Sequence, residues 1–466
     1  MTASPPRTLP PGPRHPVRSF AGFMRDPLGF MLHIAEEYGD VAAMPQGPRP
    51  AQRWFIIVSH PDLVGEVLQS GSDRYRKAFT YEPLRRVLGD GLLTSEGDRW
   101  LQHRRLAQPF FRASAVRDLV GDFAAATERL CRRWDDLADD GAQIDVGAEM
   151  RRLTLDIVGR SLFGVDLSQT AGDVGRAMAV LQRLAFRQVL SPRTWMGWTS
   201  LPQRTSRRHA EAIAGLNRVV DRLISERRHN PQDFDDLLAG LMAAAEAEGT
   251  SLTNSELRDQ LVTFLAAGHE TTAHALTWTW YLLGRNPEAR RRLVAEADAV
   301  LTGAAPTAET IDKLHYTEAV ISESLRLYPP AWTIERDAVA DDSLGGYTVP
   351  AGATVVTSPW VLHRRSTLWD DPLAFDPDRF LDHRTAQRHR FAYLPFGAGR
   401  RQCIGAGFAM LEATTALALL AQRYRLELAP DQHVEPDPRI TLGLRGALRA
   451  RVVMRETPAG PGPTGP

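Results

Sequence analysis

Phe396-Gly397-Ala398-Gly399-Arg400-Arg401-Gln402-Cys403-Ile404-Gly405 is the stretch on which the reading of this chain turns. A cysteine stays ionised when backbone N–H groups, a helix N-terminus or cations stand beside it. Cys403 has Arg400 and Arg401 just before it and an apolar helical run, Phe408–Tyr424, after it. Glycines 397, 399 and 405 let the backbone pass closely under a flat group where a Cβ would collide, and Phe396 can cover the sulfur. A thiolate so placed suits haem iron, to which it donates the electron density that favours O–O cleavage. Read bare, the same segment is a Gly-rich turn around an ordinary buried thiol.

Upstream, the stretch Leu261–Leu283 has about the length to span a bilayer, but Gly268, His269 and Glu270 interrupt its centre, so a buried helix of a soluble protein fits better. A helix is expected from about Asn254, with Thr253 and Glu256 as a capping box, ending before Gly284. The next opens with Asn286 as N-cap and Pro287 in its first turn. Within the long helix, Gly268 removes a side chain where a ligand can approach. Glu270 and Thr271 set an acid and a hydroxyl in a dry interior, the equipment of a proton relay. Taken alone, Glu-Thr-Thr is also a helix irregularity whose hydroxyls bond back to their own turn. His269 projects from a different face than Glu270 and reads as a structural or supporting residue.

Three further patterns accompany these. Glu323 and Arg326 share one face of a helix expected over Ala308–Leu327 and stopped by Pro329 and Pro330. Phe375-Asp376-Pro377-Asp378-Arg379-Phe380 follows. Trp100 and Arg104 stand one helical turn apart, so an indole N–H and a guanidinium can address one anion; singly, each is an ordinary core aromatic or a solvated cation.

The loop resembles the haem-binding segment of the cytochrome P-450 family, Phe-x-x-Gly-x-Arg-x-Cys-x-Gly, matching at Phe396, Gly399, Arg401, Cys403 and Gly405. The other patterns resemble that family's signatures in the family's order, with Asp378 where a glutamate often stands. The resemblance implies a mainly α fold with small β-sheets, haem b lying between the long helix and the cysteine loop, and Cys403 as its iron ligand. It implies that Trp100, Arg104, Arg336 and Arg401 meet the haem propionates, that Phe396 covers the sulfur, and that Glu270 and Thr271 handle protons. Glu323, Arg326 and Arg379 are implied as a buried charge network fixing the chain that leads to Cys403.

The implied reaction inserts one atom of O2 into a hydrophobic small molecule, a terpenoid, fatty acid, steroid or polyketide. With no flavin or iron–sulfur segment after the last strands, electrons are expected from NAD(P)H through a separate ferredoxin and ferredoxin reductase. Arg105, Arg112 and Arg400 are candidates to face such a donor. The alternative is a haem-thiolate binding or sensor protein that never turns over. The pocket is implied to be drawn from Thr80–Thr94, Leu181–Leu201, Ala267, Ala331–Ile334 and Thr441–Leu444. Trp195, Met196 and Trp198 are either an access lip or packing residues.

Totals agree. Among 466 residues, 56 basic and 56 acidic side chains balance, which disfavours nucleic acid as a partner. All but two of the basic residues are arginine; the lysines are Lys77 and Lys313. Two cysteines cannot build a disulfide framework, and no signal peptide or membrane span is read, so a cytoplasmic monomer is expected. Residues 1–16 and 457–466 read as flexible Pro-rich ends around one domain, 17–456. Short strands are expected at Asp40–Met44, Trp54–Ser59, Gly346–Val349, Thr354–Ser358 and Leu442–Val453. Cys131, in a helical stretch without glycines, is expected to be a structural thiol.

Overall fold

A computed structural model describes residues 8–47, 52–166, 183–189, 207–230, 236–381 and 388–455, with Ala177, Val180, Ser191 and Phe234. Trp195, Met196 and Trp198 lie outside the described residues. Helices dominate, and the longest, the central helix Asn254–Arg285, crosses the core. Its capping box forms as the sequence predicts: Thr253 Oγ1 accepts from Glu256 N at 3.2 Å and Glu256 Oε2 accepts from Thr253 N at 2.9 Å. Together these satisfy two of the donors a helix start leaves free.

The far end differs from expectation. The helix runs through Gly284, where a Cβ would stand 2.5 Å from Leu428 Cδ1; this glycine admits a neighbouring strand and does not stop the helix. Asn286 donates from Nδ2 to Leu282 O at 2.8 Å and so closes the central helix. The following helix, Pro287–Val300, starts without a side-chain cap. The expected helix over Ala308–Leu327 is two, Ala308–Ile311 and His315–Leu327. Glu296 causes the restart, because its carboxylate accepts from Tyr316 N at 2.7 Å and Thr317 N at 2.8 Å, capping the second helix from another element. Leu442–Val453 likewise divides into strands Leu442–Leu444 and Arg449–Met454 around Gly446, whose φ is +85°.

Strands form where β-branched and aromatic residues alternate or cluster. The largest sheet orders Val41–Gln46, Arg53–Val58, Thr354–Thr357, Ile334–Ala338 and Tyr75–Lys77. Its two faces have different neighbours. Ile56, Val58, Ile334 and Val355 pack toward Val64, Leu68 and Leu394, whereas Phe55, Ile57 and Val356 pack toward Leu28, Met31 and Trp332.

Behind the central helix lies Val146–Phe163, close enough that a Cβ on Gly268 would meet Val158 Cγ2 at 3.1 Å. Gly268 therefore serves helix–helix approach as well as bordering the cavity described below. Thr154 Oγ1 donates to His269 O at 2.7 Å on this same contact. His269 is buried on that side, and burial pushes its imidazole down to about 4; it is a neutral packing residue, as its sequence position suggests.

The helix after the cysteine loop, Ala406–Arg423, packs Phe408 edge-on against Phe123 with centroids 4.9 Å apart. It also buries Glu412 completely, with neither carboxylate oxygen hydrogen-bonded. Burial raises this carboxyl well above its ordinary 4.5, although the nearby Thr272 hydroxyl opposes the shift. The folded chain thus keeps a proton that the unfolded chain releases above pH 4.5. Its stabilising contribution is complete below that pH and falls by about 1.4 kcal/mol per unit as pH rises toward the folded value. Glu412→Gln is expected to flatten this decline in urea titrations between neutral and alkaline pH and to stabilise the protein at the upper end.

Candidate active site

The cysteine loop is held by its own backbone and by a distant segment. Cys403 N donates to Phe396 O at 2.9 Å, closing the turn. Gly399 has φ +69°, and a Cβ there would lie 1.8 Å from Leu68 O. The chain beneath the loop therefore demands glycine here.

From the other side, Glu323 and Arg326 form the two-pronged pair their spacing suggests, Nε–Oε2 at 2.6 Å and Nη2–Oε1 at 2.7 Å, both residues fully buried. Arg379 Nε reaches Glu323 Oε1 at 3.3 Å, and Asp376 N donates to the same oxygen at 2.9 Å. Arg326 Nη1 donates to His363 O and Pro372 O, each at 2.7 Å. His363 carries the clamp onward: Leu394 N donates to its Nε2 at 2.9 Å, which leaves the ring proton on Nδ1, 3.0 Å from Arg326 O. Burial drives this imidazole well below its usual range and keeps it neutral. Leu394 begins the run into Phe396, so the network fixes the loop through a histidine that no sequence pattern singled out.

Above the loop is a cavity of 480 Å³, lined by Phe396, Arg401, Cys403 and, across from them, Ala267, Gly268 and Thr271 of the central helix. Cys403 is exposed only in the sense that its side chain borders this cavity. Burial pushes its thiol up, opposed by the Gly405 N–H and the Arg104 charge. Cys131, by contrast, is wholly buried in the helix Val120–Asp139, and burial takes it to about 11.

Trp100, Arg104 and Arg336 also border the cavity. Arg104 Nη1 donates to Gln402 O at 2.8 Å, and the Arg401 guanidinium lies 3.9 Å over the Trp100 ring. Arg401 additionally pairs with Glu96 at 2.7 Å and donates to Ser95 O at 2.9 Å. A further cation stands here that the sequence reading missed. Lys77 pairs in register with Arg336 and holds its ammonium 4.4 Å from the Tyr81 ring centre. Burial, then repulsion from Arg336 and Arg401, drives Lys77 well below its ordinary value, and burial takes Arg401 to about 10. The carboxylates nearby are already engaged, Glu96 by Arg401 and Glu335 by Thr80 and Thr333. A rim of four cations so short of anions fits a flat group bearing two carboxylates, and the thiol beneath it fits that group's metal.

Glu270 stands apart from the cavity-facing set. Its Oε2 accepts from Thr441 Oγ1 at 3.0 Å and its Oε1 is 3.7 Å from His274 Nε2, one turn along. Burial alone would raise this carboxyl, but His274 and Thr441 together hold it below the usual value. Gly443 makes room for the imidazole, since a Cβ there would strike His274 Cε1 at 2.6 Å. Thr271, its neighbour, faces the cavity with its hydroxyl donating to Ala267 O at 2.6 Å. Of the arginines suggested for a protein partner, Arg105 is exposed and paired with Glu248 at 2.5 Å, while Arg400 lies 5.8 Å from the Trp100 ring centre.

Residues 10–449 match the family model described as Cytochrome P450. The chain is 38% identical to cyclooctatin synthase of Streptomyces melanosporofaciens over 91% of each chain. It is 36% identical to cyclooctat-9-en-7-ol 5-monooxygenase of the same organism, covering 87% of this chain and 86% of the relative. To pentalenene oxygenase of Streptomyces avermitilis it is 34% identical, covering 93% and 94%. The crystal structure of the cytochrome P450DA heme domain superposes with a TM-score of 0.85 at 29% identity, covering 97% of this chain and 98% of that one. A helix-dominated fold around a cysteine-floored cavity defines a haem-dependent oxidoreductase. The chain belongs to the cytochrome P450 family, and it is a monooxygenase. Among the described residues, no helix is long and apolar enough to cross a membrane.

Proposed function

We propose that this chain oxygenates a terpenoid in secondary metabolism, with Cys403 as the iron ligand of haem b. The observation that carries the reading is Cys403 on the floor of an apolar cavity whose opposite wall is Ala267, Gly268 and Thr271 and whose rim is cationic. Bound haem supplies the activation of O2. Trp100, Arg104, Arg336 and Arg401, with Lys77, would hold the propionates, and Phe396 would shield the sulfur from water.

Thr271 would turn its hydroxyl from Ala267 O, 2.6 Å away, into the cavity to deliver a proton there, and Glu270, held by Thr441 and His274 away from the cavity, would take up a proton from solvent and pass it to that hydroxyl. Electrons would come from NAD(P)H through a ferredoxin and its reductase, to a cytoplasmic monomer of one domain spanning 17–456. The terpenoid class rests on what the relatives are named for, and monooxygenase relatives favour turnover over sensing.

The test is product analysis after supplying NAD(P)H, a ferredoxin and reductase pair, and a panel of cyclic terpenes beside fatty acids, steroids and polyketides under isotopically labelled O2. One labelled oxygen in a terpene product is expected; oxygenation confined to another class would replace the terpenoid assignment. Thr271→Ala is expected to consume NAD(P)H while yielding about 100-fold less product, the lower end of what a lost proton-transfer group costs.

A further inference from the structure

The lining of the cavity extends past the cysteine loop and the central helix to one face of the largest sheet. Along the strand Ile334–Ala338 alternate side chains face opposite ways: Ile334 packs with the sheet face toward Leu68 and Leu394, and Glu335 borders the cavity beside residues of the other face. The lining there includes Phe23, Met31, Phe55, Ile57 and Val356, all apolar. Glu335 is an acid set among them. Its Oε2 accepts from Thr80 Oγ1, and its Oε1 lies 3.4 Å from Thr333 Oγ1. Burial raises this carboxyl, the two threonines lower it, and Asp337 and Arg336 act on it in opposite directions.

A carboxyl among apolar walls is costly unless hydrogen-bond donors reach it. A carboxylate has about four acceptor positions, and the two threonine hydroxyls use two. The group that takes the rest is constrained by charge. An anion is repelled by Glu335 itself. A cation is opposed by Arg336, the next residue on the strand, whose charge already acts on this carboxylate, and by the apolar side chains around it. A neutral O–H donor meets neither objection.

We propose that Glu335, with Thr80 and Thr333, anchors a hydroxyl already present on the substrate, so that this enzyme oxidises an alcohol-bearing hydrophobe and not a bare hydrocarbon. This rests on the hydrophobic-substrate reading above and sharpens it. It also places the reaction after a step that installs oxygen, either a cyclisation quenched by water or an earlier hydroxylation.

The experiment is spectral titration of the haem-loaded protein with matched pairs, a cyclic terpene alcohol against its deoxygenated parent, and 1-dodecanol against dodecane. The wild type is expected to bind each alcohol roughly 10-fold or more tightly than its partner, the fold-change of one net hydrogen bond to a charged group. Glu335→Leu should remove that preference without weakening hydrocarbon binding, and Glu335→Gln, which keeps shape and acceptor, should retain part of it. Unchanged haem content in both variants guards against misfolding. If terpenes fail to bind but dodecanol is still preferred through Glu335, the terpenoid assignment falls and the anchor stands. No preference for either alcohol, or equal weakening of alcohol and hydrocarbon in Glu335→Leu, overturns the proposal.

Discussion

Cys403→Ser is expected to abolish the long-wavelength absorbance band that a thiolate-ligated ferrous haem gives with carbon monoxide, and with it all product formation. Serine preserves the side-chain size, so the loop closure through Cys403 N and Phe396 O at 2.9 Å survives. The donor does not, because an alcohol resists ionisation far more than a thiol and lacks sulfur's electron donation. Cys131→Ser is the control within the same chain. That thiol is wholly buried away from the cavity, so its replacement should leave the spectrum intact at a modest cost in stability. Identical behaviour of the two variants would overturn the assignment of Cys403.

Glu323→Ala is expected to destabilise the fold by roughly 3–5 kcal/mol, the penalty for leaving buried charge uncompensated, and to yield protein with little or no haem. The reason lies in the connections. Glu323 answers two guanidiniums, Arg326 and Arg379, and one backbone N–H, Asp376. Without it, two cations face each other in a dry interior. Glu323→Gln keeps the shape and should fail nearly as badly, which separates charge from packing. Replacing both Glu323 and Arg326 by leucine should not restore the protein either. Arg326 also satisfies the carbonyls of His363, Pro372 and Ala374, which would be left without donors. Urea midpoints and haem-to-protein ratios report the two effects; a Glu323→Ala protein purified with full haem content would remove the clamp from the account.

The elements most legible in the sequence were those whose partners are near in the chain. The capping box spans four residues, the Glu323–Arg326 pair one helical turn, and the cysteine loop ten residues, so spacing alone carries their geometry. What escaped depends on contacts across the chain. Lys77 joins the cationic rim only because strand pairing sets it opposite Arg336, yet its rarity among so many arginines was a signal available in the composition. His363 is a lone histidine in sequence and a linchpin in space. The break at residues 312–314 arises because Glu296, from another helix, caps the second segment better than a continuous helix would bury it. Gly268 and Gly399 were rightly singled out, and each also answers a packing need that spacing does not reveal, the approach of Val158 and of Leu68.

Arg104 and Gln402 are 298 residues apart in the chain, and Ser95 and Arg401 are 306 apart. Both contacts close across the wall of one cavity. Contacts of such separation are slow to form, since the entropy of a long loop must be spent before they bring any return. On the proposed reading, haem enters where these two distant stretches meet and binds only the closed form, stabilising it by mass action. The cofactor is then also a clasp on a loop 298 residues long: its supply during synthesis governs how long the half-assembled cavity, with its cations facing one another, persists before the protein closes.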